Sequence, residues 1–476
     1  MSINPRRLSL AFTFSLFLAQ IACGQDFAAQ RQQNWHQWRG PEANGFAPNG
    51  NPPTEWSEAK DGSPAKNIKW KVPVPGKGSA SPIVWGDRIY LITAIPAAQA
   101  APATQSALVA TQPQVMAQPG NQPGGGQPQR RGSQGGPALT VPHKFDVLCI
   151  DRRTGQTIWQ KTARETVPHE GHHPTSTFAS ASPITDGQSL FVSFGSRGIH
   201  AFDMDGNKKW EPKDLGQMRT RNAFGEGASP ALYDNRLIVP WDHESGSFIV
   251  VFDATTGEEK WRKPREEVTT WATPLVVPFE GRVQVITNGM TRCRSYDLET
   301  GEVIWECGGQ GPNPIPSPVL IDDNVICMTG FRTFAAYSIP LSSKGDITGT
   351  EKVAWKIADG TPYVSSPLLY DGILYFTKER NSILTSLNAR TGEVLINQKR
   401  LPDASSFYSS PVGAAGKVYF SSREGVTVVL KHGPEKEMTV IANNQLDGPI
   451  DASPAIVDRE MFIRTDTHLY CLAETP

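Results

Sequence analysis

Four stretches of the sequence decide the fold: CIDRRTGQTIW (149–159), AFDMDGNKKW (201–210), VFDATTGEEKW (251–261) and SYDLETGEVIW (295–305). In each stretch an aspartate precedes a glycine, and a tryptophan follows that glycine by four residues. The carboxylate can accept hydrogen bonds from the turn, and the glycine allows the positive φ of a tight turn. A large ring at one fixed point of every unit suits packing between neighbouring sheets. The predicted structural repeat residues are Asp151, Asp253, Asp297, Trp159, Trp210, Trp261 and Trp305.

A longer repeat surrounds these turns, and each copy opens with a Ser/Thr-Pro pair followed by a short apolar run. The prolines are Pro82, Pro183, Pro230, Pro274, Pro318, Pro367, Pro411 and Pro454. After a first step of 101 residues, the steps are 43 to 49 residues, the length of one four-stranded propeller blade. The eighth unit has only three strands, and NIKWKVPV (67–74) supplies a candidate fourth. The sequence therefore predicts an all-β, eight-bladed β-propeller over 67–476, with four-stranded antiparallel blades and an N-terminal strand completing the last blade.

Two segments fall outside this pattern. Residues 25–66 contain NWHQWRGPEANG (34–45), and we expect them to form an N-terminal strap on the outer wall of the propeller. Residues 95–143 are rich in Ala, Gln, Pro and Gly, which predicts a disordered insertion between the second and third strands of blade one.

The first 24 residues have the pattern of an export signal. Arg6-Arg7 precede an apolar stretch from Leu8 to Ala19, and Ala22-Cys23-Gly24 forms a small-x-small site. The sequence predicts a signal peptide over 1–24 and a periplasmic or extracellular protein. Lipidation of Cys23 is an open alternative that would attach the protein to a membrane.

Composition excludes several classes of protein. The chain has 46 Lys+Arg against 47 Asp+Glu, which argues against a nucleic-acid partner held by bulk charge. Outside the signal, Cys149, Cys293, Cys307, Cys327 and Cys471 form no CxxC pair, so we expect buried, apolar cysteines. Nucleophile-elbow and phosphate-binding loop motifs do not occur in the sequence.

The repeat resembles that of the pyrroloquinoline-quinone (PQQ) repeat propellers, whose motif is Ala-x-Asp-x-x-Thr-Gly-x-x-x-Trp. The resemblance covers nearly the whole chain outside the signal and the insertion. That family includes quinoprotein alcohol dehydrogenases and the scaffold-type propeller lipoprotein of outer-membrane β-barrel assembly, so the resemblance implies a fold and not one function. The dehydrogenases are longer and share a disulfide between adjacent cysteines, whereas this sequence has no Cys-Cys pair. Their calcium ligands and catalytic aspartate do not carry over, and the tryptophans carry over as structural residues.

In a propeller, the loops between second and third strands share one face with the connections between blades. We call this the loop face. Six of seven such loops carry an arginine, and equivalent positions predict a ring that could bind an anion. These arginines could instead pair with neighbouring acids. The candidate ligand-binding residues are Arg197, Arg292, Arg332, Arg380, Arg423 and Arg464, together with Trp241.

Two further clusters are candidates for chemistry. Asp242, His243 and Glu244 follow Trp241 in the one loop without an arginine, and could supply acid–base catalysis or a hydrogen-bonded corner. His169, His172 and His173 lie in the connection entering blade two, with side chains that suit zinc or copper. We do not expect a metal there, because adjacent histidines need not converge.

Three functions follow from these observations. The leading hypothesis is an exported binding or scaffolding propeller whose loop face holds a protein partner, an anionic small molecule or a glycan. The alternative is a PQQ-dependent oxidoreductase acting on an alcohol or sugar, with PQQ and calcium as cofactors and Asp242 as a base. A third is a carbohydrate-active propeller.

Overall fold

A computed structural model of the chain describes residues 27–97, 140–378 and 382–474. The predicted signal peptide with Cys23, most of the insertion, and Arg380 lie outside these residues. The described chain is nearly all β and forms eight sheets of at least four strands each, which confirms the predicted eight-bladed propeller. Among the described residues, no helix is long and apolar enough to cross a membrane.

Strands are numbered in chain order, and β1 (Ile68–Pro73) belongs to blade 8. Blade 1 contains β2 (Ile83–Trp85), β3 (Arg88–Pro96), β4 (His143–Asp151) and β5 (Thr157–Thr166). Blade 2 contains β6 (Ile184–Thr185), β7 (Ser189–Ser193), β8 (Ile199–Asp203) and β9 (Lys208–Lys213). Blade 3 contains β10 (Ala231–Tyr233), β11 (Arg236–Trp241), β12 (Phe248–Asp253) and β13 (Glu259–Pro264). Blade 4 contains β14 (Leu275–Phe279), β15 (Arg282–Thr287), β16 (Arg292–Asp297) and β17 (Val303–Gly308).

The second half of the ring repeats this order. Blade 5 contains β18 (Val319–Ile321), β19 (Asn324–Thr329), β20 (Ala335–Pro340) and β22 (Trp355–Ile357), while β21 (Gly345–Asp346) lies between the last two in sequence. Blade 6 contains β23 (Leu368–Tyr370), β24 (Ile373–Lys378), β25 (Ile383–Asn388) and β26 (Val394–Arg400). Blade 7 contains β27 (Val412–Ala414), β28 (Lys417–Ser421), β29 (Val426–Lys431) and β30 (Val440–Gln445). Blade 8 contains β31 (Ala455–Val457), β32 (Glu460–Arg464), β33 (His468–Ala473) and β1. Short 3-10 helices cover Gly195–Arg197 and Arg221–Ala223.

Blade 8 closes the ring as the sequence predicts. Strand β1 pairs antiparallel with β33, with Trp70 opposite Cys471 and Val72 opposite Leu469. A strand that precedes blade 1 and the last three strands therefore share one sheet, and β1 covers the edge of β33 so that blade 8 has four strands like the other blades.

The first strand of each blade lies nearest the axis. Strand β10 contacts both β6 and β14, the first strands of its neighbours, and β31 contacts β2 and β27 in the same way. The fourth strands consist mostly of exposed and half-buried residues, as in β5 and β26, so they form the outer wall. Core side chains lie between the blades, and the five described cysteines are buried and free, as predicted.

The repeat tryptophans join neighbouring blades. In five of them the indole N–H donates to a main-chain carbonyl in the third-to-fourth-strand turn of the next blade. The pairs are Trp70 with Arg152, Trp159 with Met204, Trp210 with Ala254, Trp261 with Leu298 and Trp355 with Ala389, at N···O distances of 2.7–3.2 Å. The turn glycine packs on the indole face: Gly257 has φ +71°, and a Cβ there would lie 2.9 Å from Trp210. The motif thus joins the tryptophan of one blade to the turn of the next blade.

Blade 5 departs from the repeat, and Trp305 changes its partner accordingly. This blade lacks the Asp-x-x-Thr-Gly turn, and its chain makes a longer excursion in which β21 pairs parallel with β17. The indole of Trp305 is fully buried and donates to the side chain of Gln284 at 3.2 Å. Trp305 is therefore a structural residue whose indole hydrogen bond lies within its own blade and does not join two blades.

The N-terminal segment divides in two: Ser57 forms a β-bridge with Gln445 of the outer strand β30, whereas the NWHQWRGPEANG stretch (34–45) lies at the axis and not on the outer wall. Trp35 is fully buried and forms a β-bridge with Val84 of β2, while Phe46 bridges Gly413 of β27. Both partners are on first strands, so residues 35–46 cross the axial channel. An eight-bladed ring leaves a wide channel, and these side chains fill it. We call residues 34–51 the plug.

Buried polar contacts fix the plug in place. The Arg39 guanidinium is 2% exposed and donates to the carbonyls of Asn44, Ser366 and Pro367. Burial lowers the pKa of Arg39 to about 9. At the start of the plug, the Asn34 side chain accepts a hydrogen bond from the backbone N–H of Gly86, in the turn between β2 and β3. This turn is on the same face as the tight Asp-x-x-Thr-Gly turns, so the plug enters the channel from that face.

Candidate functional site

A closed ring of hydrogen bonds surrounds the axis where the blades begin. The residue before each blade-opening proline accepts, through its hydroxyl, the backbone N–H of the equivalent residue in the preceding blade. The chain of donors runs Ser81, Ser182, Ser229, Thr273, Ser317, Ser366, Ser410, Ser453 and back to Ser81, with distances of 2.8–3.1 Å. We call these eight residues the Ser/Thr ring.

The Ser/Thr ring both joins the eight blades and provides hydrogen-bond donors. A hydroxyl has one hydrogen to donate besides the lone pairs that accept. Within the described residues, none of the eight ring hydroxyls donates that hydrogen to a protein acceptor. The ring therefore presents hydroxyl donors to whatever occupies the axis.

A cavity of about 310 Å³ lies over the ring on the loop face. Six ring residues line it, and Trp38 of the plug lies at its floor, with its indole N–H 3.4 Å from Ser453 Oγ. The connections between blades form its walls. We call this the axial cavity. Its aromatic lining consists of Trp38, Phe224, Trp271, Phe331, Tyr363 and Tyr408.

The aromatic walls are held by contacts outside the cavity. The indole N–H of Trp271 donates to the Gly225 carbonyl at 2.8 Å, which fixes the ring plane. Phe331 and Tyr363 stack with their centroids 4.7 Å apart. The cavity thus combines preset flat apolar faces with a floor of hydroxyl groups.

One acid, Asp451, lines the axial cavity, and it is paired. Its carboxylate accepts from Arg423 Nε at 2.7 Å, and that guanidinium lies 4.4 Å from the Tyr408 ring centroid. Burial raises the pKa of Asp451 above its ordinary value, against the lowering effect of Arg423. The pair therefore brings no net charge to the cavity wall.

A second cavity of about 370 Å³ adjoins the first. The two share Thr175, Ser176 and Asp451 in their linings. In this side cavity Lys77 forms an ion pair with Asp466 at 3.0 Å. Burial lowers the pKa of His143 there, which favours the neutral imidazole.

The described members of the predicted arginine set do not surround one opening. Arg464 is buried, donates to the carbonyls of Ala80 and Ile92, and has its pKa lowered by burial to about 10. Arg197 is buried against Glu226 at 3.0 Å. These two arginines are used within the fold.

The other arginines differ in position. Arg292 pairs at 2.7 Å with Asp346 of β21, at the outer edge of blade 4. Arg423 lines the side cavity, and Arg332, with φ +61°, lies over the Phe331 ring at 5.2 Å. A ligand-binding role for Arg332 and Arg423 remains a prediction. Repetition in sequence did not guarantee a ring, because each side chain finds the nearest acid or carbonyl.

The cluster after Trp241 is a buried hydrogen-bonded corner. Arg265 donates two hydrogen bonds to the Asp242 carboxylate, from Nε at 2.7 Å and from a terminal nitrogen at 3.0 Å. The Thr270 hydroxyl donates a third at 2.7 Å. His243 Nδ1 accepts the Arg219 N–H at 3.2 Å, and burial lowers the pKa of His243.

The remaining members are also engaged. Glu244 accepts from the Thr269 hydroxyl and backbone N–H at 2.8 and 3.2 Å. Trp241 is 1% exposed and stacks on Phe248. Asp242 and Trp241 border only a cleft of about 20 Å³, so the geometry gives this cluster a structural role, and catalysis by it remains a hypothesis.

The histidine run separates in the structure. His169 joins Glu170 and Glu226 in a group whose ligand atoms all lie within 4.8 Å of one another, while His172 and His173 lie outside it. His169 Nε2 lies 2.6 Å from the Met218 carbonyl oxygen, and Glu226 is already paired with Arg197. His172 and His173 instead pack edge-on against Phe178 and Phe224.

Sequence reasoning missed the Ser/Thr ring and the plug. The Ser/Thr-Pro pairs were visible as markers of blade starts, but the role of the hydroxyl requires eight strands around one axis. The two tryptophans within NWHQWRG (34–40) indicate that this stretch packs against the propeller, but they do not distinguish a position at the axis from one on the outer wall.

Comparisons with known proteins agree with this architecture. The family model described as outer membrane protein assembly factor BamB matches residues 143–344. No curated protein matches the sequence significantly. BamB from Moraxella catarrhalis superposes with a TM-score of 0.51 at 14% identity, over 71% of this chain and 95% of that chain.

Two quinoproteins are similar over more of the chain. Quinohemoprotein alcohol dehydrogenase from Comamonas testosteroni gives a TM-score of 0.60 at 11% identity, covering 94% of this chain and 82% of that chain. A europium-containing methanol dehydrogenase gives 0.62 at 9% identity, covering 93% and 98%. At these identities the likeness shows the fold alone. The family match covers residues 143–344, about two fifths of the chain, and includes all four repeated Asp-Gly-Trp stretches in full, while the solved structures show that the chain shares their fold.

Proposed function

We propose that this chain is an exported binding module that holds a small polar ligand in the axial cavity of its loop face. The observation that carries the proposal is the axial cavity itself, which has aromatic walls, a floor of hydroxyl donors and a closed base. A volume of about 310 Å³ is in the range of small-molecule sites, roughly 300–1,000 Å³. Because the plug blocks the channel, a ligand enters and leaves from the loop face.

Export is part of the proposal. It rests on the residues 1–24, with their paired arginines, apolar stretch and small-x-small site. A binding module of this kind meets its ligand in the periplasm or outside the cell. Lipidation of Cys23 would add a membrane anchor.

The PQQ-dependent alternative is not favoured by the lining. PQQ carries three carboxylates, and burying an unpaired carboxylate is strongly unfavourable. Among the described residues that line the axial cavity, none is lysine or arginine, and the nearby Arg423 is neutralised by Asp451. The same lining offers a single carboxylate, from Asp451, which does not fit a calcium site of six to eight oxygen ligands. The donor set therefore does not fit PQQ with calcium.

A protein partner remains a second candidate because the matching family model is that of an assembly factor. An inserted partner loop would use the same opening. An acidic loop would meet the exposed guanidinium of Arg332 beside the cavity-lining Phe331, whereas Arg423 is already paired with Asp451.

A fragment screen tests the proposal. The full chain is screened by ligand-observed NMR against a library of small neutral, anionic and cationic fragments. The matched variants are Val364→Trp, which fills the axial cavity from its lining, and Val440→Trp on the exposed outer wall. We expect fragments that bind the wild type and Val440→Trp but lose binding in Val364→Trp. If no fragment separates the two variants while both remain folded, the axial cavity is not a ligand site.

A further inference from the structure

The charges around the two loop-face cavities point to the class of ligand. Among the described lining residues of both cavities, the lysine and arginine side chains are Lys77 and Arg423, and each forms an ion pair, with Asp466 and Asp451. The linings also contain His143, His172 and His173, and the last two pack edge-on against Phe178 and Phe224. His143 favours its neutral form because burial lowers its pKa. A charged ligand would therefore be buried without a counter-charge, which is unfavourable. The linings select a neutral molecule.

The neutral groups in the axial cavity are of two complementary kinds. Trp271 and the Phe331–Tyr363 stack present flat apolar faces, while six residues of the Ser/Thr ring present hydroxyls. A purely apolar ligand would leave the ring hydroxyls without acceptors, and a purely polar one would leave the aromatic faces unmatched. Pyranose sugars satisfy both, because one face of the ring carries C–H groups and its edge carries hydroxyl and ether oxygens.

The side cavity extends this argument beyond one sugar. It meets the axial cavity at Thr175, Ser176 and Asp451, whose hydroxyl and carboxylate groups are shared by both linings. The junction is thus lined by groups that donate to or accept from sugar hydroxyls. The two volumes, about 310 and 370 Å³, are similar in size.

We infer that the axial and side cavities together bind the end of a neutral oligosaccharide, with the terminal unit over the Ser/Thr ring and the next unit beyond Asp451. This inference rests on the proposed function, since it names the ligand of the same site. It assigns Trp271 as a stacking platform and the Asp451–Arg423 pair as the polar group between the two units.

Titration calorimetry of the full chain tests the inference with a panel of neutral sugars. The panel contains glucose, galactose, mannose and their unbranched β- and α-linked di- and trisaccharides, with sulfated and uronic counterparts as charged controls. We expect at least one neutral disaccharide to bind about tenfold more tightly than its monosaccharide and than its charged counterpart. Binding should fall at least about tenfold in Trp271→Ala and Val364→Trp, and remain unchanged in Val440→Trp.

The outcomes distinguish a failure of the saccharide assignment from a failure of the proposed binding function. If the NMR screen finds fragments sensitive to Val364→Trp but no neutral sugar binds, the binding module stands and the saccharide assignment fails. If charged sugars bind as tightly as neutral ones, the assignment also fails. If a monosaccharide binds as tightly as its disaccharides, the role of the side cavity is overturned. If Trp271→Ala lowers the melting temperature severely, Trp271→Phe, which keeps an aromatic face, is used in its place and should retain most of the binding.

Discussion

The Ser/Thr ring predicts an unequal response to the same mutation at two of its positions. Ser366 is 0% exposed and does not line the axial cavity, whereas Ser229 does. Ser366→Ala removes the acceptor of the Ser317 N–H at 2.9 Å, and Ser229→Ala removes that of the Ser182 N–H at 2.8 Å. A buried donor left unpaired costs about 1–3 kcal/mol. Water in the cavity can replace Ser229 but cannot reach Ser366, so the full cost applies to Ser366→Ala.

The expected shift in melting temperature is small and measurable. Unfolding entropy is about 2.1 cal/mol/K per residue, so roughly 400 folded residues give about 0.8 kcal/mol/K and a shift of roughly 1–4 °C for Ser366→Ala. Scanning calorimetry of both variants and the wild type provides the comparison. If Ser229→Ala is destabilised as much as Ser366→Ala, or if neither differs from the wild type, the Ser/Thr ring does not join the blades as described here.

Three further predictions concern the packing between blades, the buried ion pair and the plug. Gly257→Ala should lower the melting temperature more than Gly246→Ala, because both have positive φ but only Gly257 lies against Trp210; equal losses would contradict the packing role. Arg265→Met should destabilise the chain by about 3–5 kcal/mol in urea unfolding, because it leaves the buried Asp242 carboxylate without its counter-charge; an unchanged midpoint would contradict this. His36 should make the protein acid-sensitive, since burial lowers its pKa from 6.5 to about 3 in the folded state. Stability is then lost as pH falls below 6.5, by about 2 kcal/mol at pH 5, and His36→Phe should flatten the melting temperature between pH 7 and 5.

The fold could be predicted from the sequence because its determinants are local and repeated. Each Asp-x-x-Thr-Gly-x-x-x-Trp turn contains both the bend and the ring that packs on the next blade, as Trp210 does against Gly257. Counting Ser/Thr-Pro pairs gave the number of blades, and the three-strand last unit gave the closure by β1. The excursion of blade 5 was not predictable, because β21 pairs with a strand about 40 residues earlier in the chain.

The site could be predicted only in part, because its residues are far apart in the sequence and come together only when the eight blades close around one axis. The loop face was identified from blade topology, and Arg423 lines the side cavity on that face. The other arginines were expected to point to the axis, yet Arg197 and Arg464 lie buried within their blades. An arginine repeated at equivalent sequence positions shows on which loop each side chain begins. It does not show with which acid or carbonyl that side chain pairs. Trp38 was assigned to an outer strap, since nothing local distinguishes a plug from a strap.

Two parallel thermal titrations test the central claim, that the axial cavity binds a neutral ligand and not PQQ. The purified protein is melted with saturating neutral oligosaccharides from the panel, and separately with PQQ and Ca²⁺ while absorbance is followed. The account predicts a rise in melting temperature with at least one neutral oligosaccharide, abolished by Val364→Trp, and no shift with PQQ and Ca²⁺. A stoichiometric spectral change and a higher melting temperature with PQQ and Ca²⁺, with no response to any neutral sugar, would contradict it.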